Sequence, residues 1–209
     1  MHRLRLPFRA ISTGAAMAVV ASAGAQESRT LDASGPIPYF IAAGSPATGY
    51  RPSDRQLSIW ALSQWQNATG LQLEPSSESN AIVRLYWAEA NELQYGEMRP
   101  LTVGGRRGAA VFVRPDVEAL GRDIAQRAST DPLFRDTIVY LTCLHELGHA
   151  FGMRHTADFR DIMYFFGYGG NIVEYFDRYR RQLRTRDDIA RVSGLSHDDT
   201  ERVKALYPR

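Results

Sequence analysis

From residue 37 onward, apolar positions fall into short alternating runs and longer stretches with helical spacing. Residues 38–41 read as a short strand. Ser53 or Asp54 can cap a helix running to about residue 67, with Leu57, Trp60, Ala61 and Trp65 on one face. Gly70 closes the segment that ends it. Residues 71–73 form a short alternating strand and residues 81–87 a stronger one. Residues 95–103 read as an edge strand, because Pro100 is tolerated at the edge of a sheet and not in its centre. Gly104 and Gly105 turn the chain into a further strand over 109–113. A helix is expected over 116–128. Asp131, with Pro132 at the first helical position, then starts a long helix carrying Ile138, Leu141, His145 and His149. Ile172, Tyr175, Phe176, Tyr179 and Leu183 share one face of another helix. Ser196, with Asp199 three residues on, caps a last helix to about Leu206. Strands alternating with helices imply an α/β layout with the sheet packed on the helices.

The first 25 residues follow a different rule. Arg3, Arg5 and Arg9 make a positive start, residues 10–23 are small or apolar, and Ala23-Gly24-Ala25 offers a small-x-small cleavage site. This is the layout of a secretory signal peptide cut after Ala25. It leaves residues 26–209 as a single domain, secreted or periplasmic, with residues 26–36 as a loose polar tail. The apolar run is too short and too rich in Ala, Ser and Gly for a membrane anchor. No membrane association is expected after processing.

Processing also changes the charge. Three of the 25 basic residues and none of the 23 acidic ones lie in the signal, so the remainder carries 22 against 23, a net −1. Nothing in that balance points to nucleic acid. Cys143 is the only cysteine, so an internal disulfide is excluded and the fold must rest on its core.

The chemistry is concentrated in residues 145–155, His-Glu-Leu-Gly-His-Ala-Phe-Gly-Met-Arg-His. His145 and His149, four apart on a helix, lie roughly 40° apart around its axis, so both imidazoles can reach one metal ion. Zinc takes nitrogen ligands tetrahedrally and keeps a fourth position for water in catalytic sites. Glu146, beside the first ligand, can take a proton from that water. Gly152 can adopt the left-handed conformation that ends the helix, letting the chain fold back to deliver His155 as third ligand. A bare His-Glu-x-x-His would be a much weaker signal.

This segment resembles the metzincin metalloendopeptidases, whose motif is His-Glu-x-x-His-x-x-Gly-x-x-His followed by a methionine turn. Met163, in Asp161-Ile162-Met163-Tyr164, is placed to be that methionine. The resemblance implies that it forms an apolar floor under the site without binding metal. Within metzincins the pattern is most similar to bacterial matrixin-like domains; Asp198, Leu206 and Tyr207 in the final helix region fit it too. The resemblance implies a mixed twisted sheet with one antiparallel edge strand, a zinc helix and a C-terminal helix. It also implies one catalytic Zn2+ and a protein or peptide as substrate. A monomer is expected, and nothing in the sequence indicates calcium.

Three departures matter. Phe165, not tyrosine, stands two residues after the methionine, so a tyrosine ligand is not expected. No histidine lies between residue 25 and His145, which argues against a second, structural zinc. There is no cysteine before Cys143 to hold a latent form. The segment Tyr164, Phe165, Phe166, Gly167, Tyr168 is aromatic and glycine-rich, and the resemblance makes it a candidate wall of the substrate pocket. The helix after it has two readings, plain packing or a further wall. Cys143 is expected in the core and His197 at the surface. Asp158 and Asp161 are read as turn residues before any role in orienting a histidine. Two rivals remain: a catalytically idle zinc-binding module, which would not need Glu146, and a zinc amidase acting on cell-wall peptides.

Overall fold

The computed structural model describes residues 30–89 and 95–208. The expected signal segment lies outside these residues. Five strands, β1 (Ile37–Ile41), β2 (Leu73–Pro75), β3 (Val83–Trp87), β4 (Gly96–Val103) and β5 (Arg106–Val113), form one sheet in the order β2-β1-β3-β5-β4. All neighbours run parallel except β4, which pairs antiparallel with β5 at the edge, with Pro100 opposite Ala109. Parallel neighbours need crossovers, and helix α1 (Asp54–Thr69) supplies one of them. Val83, Leu85 and Trp87 of β3 and Ala109, Val111 and Val113 of β5 alternate into the core, against α1 and α3 (Pro132–Ala150).

The α1–α3 contact fixes the site's main helix. Leu57, Ala61 and Trp65 of α1 are fully buried, whereas Trp60 is only partly so. Trp65 Nε1 donates to Leu144 O at 2.9 Å, and its ring lies 5.9 Å from that of Phe151. A second clasp is ionic. Arg135 of α3, 3% exposed, grips both carboxylate oxygens of Asp54 and also donates to Pro115 O. A buried charge is tolerable here because nearly every donor finds an acceptor.

Asp131 caps α3 by accepting from Phe134 N at 3.2 Å, and also takes Arg180 Nε at 2.9 Å from α4 (Ile172–Arg180). Tyr175, Phe176 and Tyr179 of α4 are buried, Tyr179 stacking on Tyr140 of α3 at 5.4 Å. Leu183 extends the apolar stripe beyond the helix end. The last helix, α5 (His197–Leu206), starts in a reciprocal capping box between Ser196 and Asp199.

Three expectations are corrected. The second strand starts at Leu73, not at residue 71, because Gly70 and the two residues after it complete the exit from α1. The helix expected over 116–128 is split by Gly121 at φ 111° into a short 3-10 turn, Glu118–Leu120, and α2 (Arg122–Thr130). Within the expected loose tail, Leu31 is buried and Asp32 pairs with Arg106. One apolar residue in a polar run has no periodicity to betray it.

Candidate metal centre

The first two histidines of the motif sit on the last turns of α3, and the helix then stops in a Schellman turn. Gly152 N donates to His149 O at 3.0 Å and Met153 N to Gly148 O at 2.9 Å, with Gly152 at φ 95°. Thr156 N then donates to Met163 O, and Phe165 N to Thr156 O. The segment carrying His155 is thereby stitched to the turn carrying Met163.

The three imidazoles converge. His155 Nε2 lies 3.3 Å from His145 Nε2 and 3.0 Å from His149 Nε2. His145 Nδ1 donates to Ile162 O at 2.7 Å, and His149 Nδ1 to Met153 O at 3.0 Å. A carbonyl only accepts, so each Nδ1 carries the proton and each Nε2 offers a lone pair. Lone pairs pointing at one another repel unless a cation lies between them. A tetrahedral zinc with bonds of about 2.0–2.1 Å sets its nitrogen ligands about 3.3 Å apart, so the donor set fits the ion. Burial holds His145 well below the usual imidazole range, at about 3, and lowers His149 and His155 too. Neutral rings are what a metal requires.

Glu146 lines a cavity that also holds the three histidines, is 7% exposed, and is pushed up to about 8, first by burial and then by Glu97. Its space is made by Gly96 of β4, where an added Cβ would lie 2.6 Å from Glu146 Cγ. Met163 is fully buried beneath α3, and a Cβ on Gly148 would run into its sulfur and into Trp65.

The Met163 turn is itself anchored. Asp199 of α5 accepts from Ile162 N at 2.7 Å, and Asp161 accepts from Thr156 Oγ1, Ser196 Oγ and Arg202. Tyr175 Oη donates to Ile162 O at 3.2 Å, sharing that carbonyl with His145. Asp199 thereby steadies the residue whose carbonyl orients His145. Asp158 pairs with Arg160 at the surface.

The cavity beside the histidines measures about 720 Å³. Tyr164, Phe165 and Phe166 line it, with Leu141 and Thr142 of α3, Tyr175 and Phe176 of α4, and Tyr95 with Gly96 to Met98 of the edge strand. Tyr168 does not; it is 66% exposed and meets the Phe165 ring edge-on. Phe165 stacks on His155, ring centroids 4.8 Å apart. Leu141 and Thr142 were readable in principle, one turn before His145 on the same helix. Gly96 and the Ile162 and Met153 carbonyls left no sequence signal. Cys143 is buried, and His197 is exposed.

No curated protein matches the chain. Among solved structures, the fold is similar to high choriolytic enzyme 1, a hatching enzyme zinc-protease from the medaka fish Oryzias latipes. That comparison gives 14% identity and a TM-score of 0.44, covering 82% of this chain and 88% of the other. It is similar to myroilysin at 14% identity and a TM-score of 0.45, covering 88% and 97%. The family model for matrixin, peptidase family M10, matches residues 36–208. With the match running from the first strand to the end of the last helix, the chain belongs to the matrixin family of zinc metalloproteases.

Proposed function

We propose that the protein is a secreted endopeptidase in which His145, His149 and His155 hold one zinc ion and Glu146 is the general base. The observation that carries this is the convergence of three neutral imidazole nitrogens at the floor of a cavity that also contains a buried carboxylate. When bound there, zinc polarises the scissile carbonyl and acidifies the attacking water. Glu146 takes the proton from that water and passes it to the leaving amine.

β4, the edge strand among the described residues, can pair with an extended peptide, which holds the cut bond over the histidines. The residue after the cut then enters the aromatic cavity. Residues 26–209 act as one domain after removal of the signal. No helix among the described residues is long and apolar enough to cross a membrane.

An idle zinc-binding module of this fold would have no need to keep Gly96 clear for a glutamate. Incubating the processed, zinc-loaded protein with mixed peptides and with cell-wall fragments tests the reading. Internal peptide-bond cleavage supports it. Zinc uptake with no cleavage of any peptide, or cleavage of cell-wall amides alone, would overturn it.

A further inference from the structure

The three histidines are not held alike. His145 and His149 each donate Nδ1 to a backbone carbonyl, Ile162 O and Met153 O, and that bond fixes the plane of the ring. His155 is exposed, and its Nδ1 has no protein partner among the described residues. An aromatic ring stands where that bond is missing. Phe165 stacks on His155 with centroids 4.8 Å apart and planes 25° apart, inside the range of an offset stack.

The chain around the stack holds it in place. Thr156 N donates to Met163 O at 2.8 Å and Phe165 N to Thr156 O at 3.1 Å, so paired backbone sets the two rings within reach of each other. The 3-10 turn Phe166–Tyr168 then brings Gly167 against the phenyl. A Cβ on Gly167 would lie 2.1 Å from Phe165 Cε1, so a side chain there would have to displace the ring. Tyr168 adds an edge-on contact at 5.5 Å. Phe165 is nevertheless 44% exposed, so plain burial does not account for an aromatic side chain packed in this way.

We propose that Phe165 is the positioning residue for the third metal ligand, its ring fixing the plane of His155 as a hydrogen bond fixes the other two. The inference rests on the reading of the three histidines as a zinc site. An imidazole that lends its lone pair to a cation becomes electron-poor, and such a ring stacks more firmly on the negative face of a phenyl. The contact is therefore stronger when the ligand is engaged than when it is not, and by linkage it raises the affinity for the ion.

The test measures zinc affinity of the processed chain by competition with a chromophoric chelator, beside the visible spectrum of the cobalt(II)-loaded protein. Phe165→Ala should weaken zinc binding about fivefold and shift the cobalt bands. Gly167→Ala, which keeps the phenyl but pushes it aside, should do the same. Phe165→Leu keeps apolar bulk without a ring face and should not restore affinity, whereas Phe165→Trp should restore most of it. Leucine serving as well as phenylalanine would show that bulk acts and not the ring face, and would overturn the inference. A ring that only walled the substrate pocket or steadied the loop would change peptide affinity or melting temperature alone. Parent-like zinc affinity and cobalt spectra in both Phe165→Ala and Gly167→Ala therefore overturn it too. His155→Ala keeps the two failures apart. If that variant binds zinc as tightly as the parent, the zinc-site reading fails and the inference with it. If zinc binding depends on His155 and ignores Phe165 and Gly167, the inference alone fails.

Discussion

At the scale of single residues, the metal centre separates binding from chemistry. Glu146→Gln keeps the shape of the side chain and removes the base. Zinc content should stay near one per chain while hydrolysis falls by about 10²–10⁴-fold. His149→Ala should lose both, since two histidines hold zinc poorly. Metal analysis beside a peptide assay decides, and full activity in Glu146→Gln would refute the assigned base. Gly96→Ala provides a subtler case. The new methyl must displace the Glu146 carboxylate, so activity should drop about 10–100-fold with zinc content unchanged. An active Gly96→Ala protein would mean that Glu146 has room the structure does not show. The histidines and Glu146 could be read directly because their geometry is local, set by one helix and one glycine turn. Gly96 could not, because its partner lies fifty residues away and glycine in a strand has many uses.

At the scale of elements, α3 acts as a rigid bar held from both sides. Gly148 lets Met163 and Trp65 close on it. Gly148→Ala should gain a little helix propensity and lose more to overpacking, a net destabilisation of about 1–3 kcal/mol. Urea unfolding would measure it, and an unchanged midpoint would mean the Met163 turn floats free of the helix. The loop after Met163 and helix α4 together line one side of the aromatic cavity. Packing or pocket were the alternatives for α4, and its buried ring edges take part in both. An apolar or aromatic residue just after the scissile bond should be preferred by more than tenfold over a small polar one, from about 1.5–3 kcal/mol of burial. A peptide library cut by the processed protein would show charged residues there if the cavity is not the pocket. An apolar run bounded by polar residues made β3 legible, while Pro100 and the Gly104-Gly105 turn marked β4 and the later part of β5. The start of α2 was not legible, because Gly121 interrupts an otherwise helical composition.

At the scale of the whole molecule, the metal should matter to stability as well as to chemistry. The three ligands come together only in the folded chain, so zinc at about a thousand times its dissociation constant adds about 4 kcal/mol. Chelation should lower the melting temperature by about 10 °C, and coincident melts with and without chelator would contradict a preformed site. Export predicts a processed chain beginning at Gln26, which N-terminal sequencing checks; an intact Met1 on exported protein would sink it. Where the packed body begins is a separate matter. Leu31 N donates to the Tyr207 hydroxyl, which donates in turn to Phe151 O at the end of the helix bearing His145 and His149. These two bonds make the front of the described fold a latch on the metal helix. One cut past Leu31 pulls the plug from a buried seat and unties the knot at Phe151. A chain that starts after Leu31 should therefore melt well below one that keeps it, and coincident melts would mean that the latch carries no load.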